Sequence, residues 1–124
     1  MTPTDRRYTP EHQWIRADSP ARWLVGVTDF AQSQLGEITS VELPAAGMRL
    51  QAAEPFGVVE SLKAASDLFA PVAGTVVEAN AELTATPEAL NDDPYGTWLI
   101  AIAPADPAEL ATLLTADQYD EIAR

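Results

Sequence analysis

Lys63 is the only lysine in the 124-residue sequence, and it stands within Val58-Val59-Glu60-Ser61-Leu62-Lys63-Ala64-Ala65-Ser66-Asp67-Leu68. A β-like run precedes it, small and polar residues surround it, and a second apolar stretch opens on Ala70-Pro71-Val72-Ala73-Gly74. That order predicts a hairpin with the lysine at its crown. An amine presented there projects away from the protein, as an acyl-lysine carrier requires. The amine has to enter a ligase, and the acyl arm has to enter other active sites afterwards. Glu60 and Asp67 place carboxylates on both shoulders of the same turn. From the residues alone a second reading stands beside this one. Six arginines accompany the lysine, so its rarity also fits a sequence that favours arginine, and single lysines are ordinarily solvated surface residues.

Other chemistry has little to work with. The sequence has no cysteine, which excludes disulfides, thiol nucleophiles and thiolate metal sites, so redox chemistry must come from an attached group. His12 is the only histidine, which argues against a histidine-based zinc site. Ser61 and Ser66 have no histidine near them in sequence, and the Asp92-Asp93 pair reads as a solvated loop beside Pro94. The formal net charge is −12. It disfavours nucleic acid, whose phosphates need clustered cations, and it can steer the protein toward basic rims on partner enzymes. No apolar run reaches the length of a membrane span, and the first ten residues lack the apolar core of a signal peptide. The expectation is a cytoplasmic, monomeric protein with no membrane partner.

The elements that must position Lys63 read as short strands. Trp14-Ile15-Arg16 and Trp23-Leu24-Val25-Gly26-Val27 flank an Asp18-Ser19-Pro20 turn and predict a hairpin. Thr9-Pro10-Glu11 reads as the start of one helical turn. Asp29-Phe30-Ala31-Gln32 has capping-box form, with Phe30 and Leu35 on the buried side and Gly36 placed to stop the helix. From Ile38 to Ile102 short strands alternate with Gly, Pro, Asn and Asp, the pattern of a barrel or sandwich. Asp106-Pro107-Ala108-Glu109 opens a helix whose Leu110, Leu113 and Leu114 form an apolar stripe, and Thr115-Ala116-Asp117-Gln118 restarts helix toward the end.

The sequence resembles the glycine cleavage system H protein family over nearly its whole length. Beside the lysine hairpin, Tyr8-Thr9-Pro10-Glu11-His12-Gln13-Trp14 is similar to the family's opening Tyr-x-x-x-His-x-Trp. Gly26-Val27-Thr28-Asp29-Phe30-Ala31-Gln32 with Leu35-Gly36, then Val41-Glu42-Leu43-Pro44 with Gly47, then Pro94-Tyr95-Gly96 and Trp98, match further blocks in order. The implied fold is mainly β: a lipoyl-like flattened β-barrel, or barrel-sandwich hybrid, with a short helix in the N-terminal half and C-terminal helices. Residues 1–124 would form one carrier domain, with a loose arm over 1–7, the short helix over 28–36, the lipoyl-like core over 38–102 and the C-terminal helices over 106–124.

The resemblance implies a non-catalytic carrier with lipoate joined to Lys63 by an amide bond. The arm would take the aminomethyl group of glycine from a pyridoxal-phosphate glycine decarboxylase to a tetrahydrofolate-dependent aminomethyltransferase. Electrons would then pass to a flavin (FAD) dihydrolipoyl dehydrogenase, and a lipoyl-attaching enzyme would install the group. Glu60 and Gly47 match positions read by lipoyl-attaching enzymes; Asp67, Gln13 and His12 match positions that contact the arm or a partner. Gln13 stands where the family often has glutamate, Phe30 where some members carry a polar residue, and Pro94-Tyr95-Gly96-Thr97-Trp98 is one residue shorter than the usual stretch. The resemblance leaves room for a related carrier that relays lipoyl groups or serves sulfur oxidation, and for an unmodified binding homologue. A biotinyl carrier typically has Met on both sides of its lysine, where this sequence has Leu62 and Ala64.

Overall fold

In the computed structural model, residues 2–123 are described. The described residues form nine strands: β1 (Arg7–Tyr8), β2 (Gln13–Ser19), β3 (Arg22–Val27), β4 (Ile38–Glu42), β5 (Arg49–Leu50), β6 (Pro55–Ser61), β7 (Ala65–Phe69), β8 (Gly74–Ala79) and β9 (Ile100–Pro104). They make a six-stranded sheet in the order β1-β2-β3-β9-β8-β5 and a three-stranded sheet in the order β4-β6-β7. Every pairing is antiparallel.

Both sheets contribute to one core. Ile15, Trp23, Val25, Val27, Val76, Ile100 and Ile102 come from the larger sheet, and Ile38, Phe56, Val59 and Leu68 from the smaller. Along β3 successive side chains alternate between faces, as a pleated strand requires. Trp23, Val25 and Val27 enter this core, whereas Leu24 joins a second cluster with Tyr8, Trp14, Ala101, Ala116 and Tyr119 on the other side of the sheet. Burial on both faces explains why β3 reads as an unbroken apolar run.

Among the described residues four short α-helices join the strands: α1 (Asp29–Leu35), α2 (Glu82–Ala85), α3 (Ala89–Asp92) and α4 (Ala116–Ile122). The Thr28 side chain caps α1 by accepting from the Ala31 N–H at 3.2 Å, one residue before the expected cap, and Asp29 becomes the first helical residue. No α1 side chain is fully buried, and the residues it packs on the core are Ala31 and Leu35; Phe30 turns instead to the His12 ring. The single-turn helices α2 and α3 lie inside the stretch expected to be all strand, anchored by the buried Leu83 and Leu90. Four residues are too few to establish a helical period, so the sequence does not announce them.

The C-terminal region differs from expectation in kind. Pro107–Thr112 is a 3₁₀ helix, not an α-helix. Asp106 caps it, but the Glu109 carboxylate accepts from the Ala73 N–H at 3.3 Å instead of returning to the cap. The chain must then extend so that Leu114 can exchange backbone hydrogen bonds with Tyr8, both 2.9 Å. Thr115 and Gln118 close a reciprocal capping box on α4.

Two N-terminal expectations also change. No helical turn begins at Thr9. The Thr9–His12 segment closes a turn through His12 N–H to Thr9 C=O at 3.1 Å, with His12 at φ 65°. The expected loose arm is tied down at Pro3, whose carbonyl accepts from the Tyr8 hydroxyl, and at Arg6, while Thr4 and Asp5 are exposed and residue 1 is outside the described residues. The Arg6 guanidinium sits 4.6 Å from the Trp14 ring centroid and donates to the Tyr95 carbonyl at 2.8 Å. A cation over an indole face with a second anchor is held where the apolar content of the segment alone would not hold it.

Candidate functional site: the lysine crown

Strands β6 and β7 are joined by Leu62-Lys63-Ala64. The Ser61 N–H donates to the Ala64 carbonyl at 2.8 Å, and the Ser61 hydroxyl accepts from the N–H groups of Lys63 and Ala64 at 3.4 and 3.2 Å. A serine that satisfies its own turn in this way needs no partner elsewhere and fixes the crown locally. The crown is also tied to the α1–β4 link: the Leu62 N–H donates to the Glu37 carbonyl at 3.1 Å. Lys63 is exposed, and among the described residues no carboxylate lies within ion-pair distance of its amine.

The Lys63 side chain lies across Gly36. A β carbon on Gly36 would stand 3.5 Å from the Lys63 Cε and 4.0 Å from its Nζ. Gly36 caps α1 with φ 80° and ψ −151°, a conformation open essentially to glycine alone. The residue identified from sequence as a helix stop therefore also clears the path of the lysine stem, a role that sequence spacing does not reveal.

Glu60 and Asp67 are exposed on the same sheet. Glu42, Val58 and Asp67 form one cross-strand row, and Ser40, Glu60 and Ala65 form the next but one. Directly opposed residues share a face, and so do residues two apart, so Glu42, Glu60 and Asp67 share the outer face of the lysine-bearing sheet. Gly47 is elsewhere. β4 runs away from the crown between Ile38, opposite Ser61, and Glu42, opposite Val58. Beyond it, the Gly47 N–H donates to the Val76 carbonyl of β8 at 2.7 Å, with φ 95° and open space where a β carbon would stand.

Gln13 requires a correction. Expected as a surface contact for the arm or a partner, it is 2 % exposed. Its Nε2 donates to the Phe69 carbonyl at 2.6 Å, and its Oε1 accepts from the Phe69 N–H at 2.8 Å. The amide thus stitches β2 of the larger sheet to the end of β7 in the smaller. Only a neutral amide serves both bonds, since a carboxylate accepts and cannot donate.

His12 is half-buried, with its ring 4.4 Å from that of Phe30 and its Nδ1 2.7 Å from the Tyr119 hydroxyl. The Tyr119 hydroxyl is also 2.7 Å from Thr28 Oγ1. Burial lowers the His12 pKa from its ordinary value and pushes Tyr119 up to about 12. The network links α4 to the cap of α1 through His12, Tyr119 and Thr28. Among the described residues no group of His, Asp and Glu side chains is arranged to hold a metal, and no helix is long and apolar enough to cross a membrane.

What the crown offers is one exposed, unpaired primary amine on a rigid turn, with a groove of glycine beneath it. The family model described as Glycine cleavage H-protein matches residues 6–124. The chain is 48% identical to the glycine cleavage system H protein of Bacillus pumilus (strain SAFR-032) over 124 residues, covering 99% of this chain and 97% of that one. It is 47% identical to that of Bacillus subtilis (strain 168) over 121 residues, covering 97% and 94%. The crystal structure of a glycine cleavage system H protein from Mycobacterium marinum superposes with a TM-score of 0.87 at 38% identity, covering 96% of each chain. Two antiparallel sheets around one core, matched over this length, are the lipoyl-like barrel-sandwich fold, and the chain belongs to the glycine cleavage H-protein family.

Proposed function

We propose that Lys63 carries an amide-linked lipoyl group and that residues 1–124 act as one non-catalytic carrier domain of the glycine cleavage system. The observation that supports this most is the lone lysine at the β6–β7 crown, exposed, free of ion pairs and lying over Gly36. The site fits the group: an acyl chain on Nζ extends the existing stem outward, and nothing at Gly36 obstructs it. When attached, the lipoyl group supplies a disulfide that takes up a carbon fragment together with an electron pair.

The chain's own residues do the rest. Ser61 and the Leu62–Glu37 bond hold the crown so that the amine faces solvent, and the Gln13–Phe69 pairing fixes the hairpin to the larger sheet. A rigid root with a long tether gives the arm a high effective concentration at each docked client. The clients in this reading are glycine decarboxylase, aminomethyltransferase and dihydrolipoyl dehydrogenase, with the aminomethyl group of glycine as cargo. Glu60 and Gly47 would be recognised by the lipoyl-attaching enzyme, and Asp67 by a partner. The protein would work as a cytoplasmic monomer.

Intact mass with peptide mapping, after incubation with a lipoate ligase, lipoate and ATP, tests the reading. One lipoyl amide on Lys63, absent from Lys63→Arg, is the expected result. Folded protein that gains no mass while a known carrier is modified alongside would overturn it.

A further inference from the structure

The edges of the two sheets are not equally open. Beyond β1, Leu114 pairs with Tyr8; beside β4, α2 packs and Asn91 Oδ1 accepts from the Ile38 N–H at 2.9 Å. The outer edge of β7 is bare along its half nearest Lys63, and Ala65, Ser66 and Asp67 are all exposed.

The ladder fixes which backbone groups face outward. The Ser61–Ala64 bond and the register Val59 with Ser66 and Gly57 with Leu68 turn the even-numbered residues of this stretch toward β6. In an antiparallel strand, alternate residues direct both N–H and C=O to opposite sides. Residues 65, 67 and 69 therefore face away from β6. Phe69 confirms the parity, because its outward N–H and C=O are the pair taken by the Gln13 amide. Gln13 thus occupies one position on this edge as a strand would, and the N–H and C=O groups of Ala65 and Asp67 remain without a partner among the described residues.

We propose that the Ala65–Asp67 edge is a strand-addition site for an extended, basic segment of the enzyme that acylates Lys63. The inference rests on Lys63 being the attachment point. Unpaired strand edges are templates for main-chain pairing, and partners exploit them in this way. The acylating enzyme is the occupant because it must reach Nζ itself, and Ala65 is only two residues from Lys63. A docked client needs only the distal end of the arm in its active site and has no comparable need to approach Nζ. The segment is basic because Asp67 stands on this edge strand and shares a face with Glu60 and Glu42 across the sheet. Two pairing residues flanked by these carboxylates would fix both the register and the side of approach.

Hydrogen exchange reads the proposal directly. In the free, ¹⁵N-labelled Lys63→Arg chain, the amides of Ala65 and Asp67 exchange fast and that of Ser66 slowly. Saturation with a lipoate ligase that modifies the wild-type protein slows Ala65 and Asp67. Unchanged exchange at both in the saturated complex overturns the proposal. As a second arm, Asp67→Arg keeps the backbone groups but reverses the charge. It raises the KM of the ligase for the chain roughly three- to tenfold, in a salt-dependent way, without unfolding the protein. An unchanged KM at low salt removes the basic character of the segment. If Lys63 is never lipoylated, the attachment reading fails first; if it is lipoylated with no protection at the edge, only the strand addition fails.

Discussion

The methylene that bears the Lys63 amine lies 3.5 Å from the point where Gly36 would carry a β carbon. Gly36 terminates α1 while its bare backbone floors the lysine groove, so one residue couples the helix end to the crown lysine. Gly36→Ala has to adopt φ 80° and ψ −151° with a side chain, which costs about 1–3 kcal/mol. Urea unfolding checks the number. Stability equal to wild type would mean that the α1–β4 link rebuilds and that the groove is not fixed by this residue.

The Gln13 amide takes the place of a strand pairing between the two sheets by bonding both backbone groups of Phe69. In Gln13→Leu the volume is kept, but the Phe69 N–H and C=O both lose their partner. Orphaning two partly buried backbone groups costs roughly 2–4 kcal/mol. The Phe69 amide should also exchange faster in the variant than in wild type. A loss confined to the global midpoint, with Phe69 still protected, would assign the hydrogen bond to some other acceptor.

These two residues mark where the sequence is legible. Lys63 could be placed because its hairpin is local: two short β runs and the small and polar residues between them, within a dozen positions, declare themselves by pattern. Gly36 could be read as a helix stop for the same reason, but not as a cradle, since Lys63 reaches it from another element. Gln13 shows the limit most plainly. Its partner lies 56 residues away, and a glutamine in a loop-like motif gives no sign that it will be buried. Likewise Pro107–Thr112 has the apolar spacing of a helix, and only the Leu114–Tyr8 pairing decides that it ends early as 3₁₀. Periodicity reports local form, and long-range hydrogen bonds override it without trace in composition.

Gly26 stands directly opposite Trp14 in the β2–β3 pairing, and the indole ring occupies the space of its missing side chain. The ring is fixed there by its Nε1–H, which donates to the Pro94 carbonyl at 3.0 Å, and by Arg6 above it. Gly26→Ala must displace the ring, at a cost of about 1–3 kcal/mol for overpacking. Release of the Arg6 contact should increase proteolysis of the N-terminal segment. Unaltered stability and cleavage would show that Trp14 has a second accessible position.

His12 sits at a left-handed φ of 65°, between the Phe30 ring and the Tyr119 hydroxyl, with Glu11 the nearby charge acting on it. Tyr119 stays a neutral phenol through the physiological range, its pKa pushed up to about 12 by burial. It can therefore donate to a neutral imidazole Nδ1 while accepting from Thr28, whose oxygen in turn accepts from the Ala31 N–H. A protonated His12 must donate at Nδ1 and reverse that chain. Burial lowers the folded-state pKa below the ordinary 6.5, so the unfolded chain binds a proton first as the pH falls. The stability due to neutral His12 is fully present above about 6.5 and is lost as the pH drops through the folded value. His12→Asn tolerates the same backbone conformation but does not titrate. The gap in urea stability between wild type and His12→Asn should therefore narrow on going from pH 8 to pH 5. A gap that stays constant over that window would show that His12 is not the titrating group, and ¹H NMR of its single imidazole would give its pKa outright.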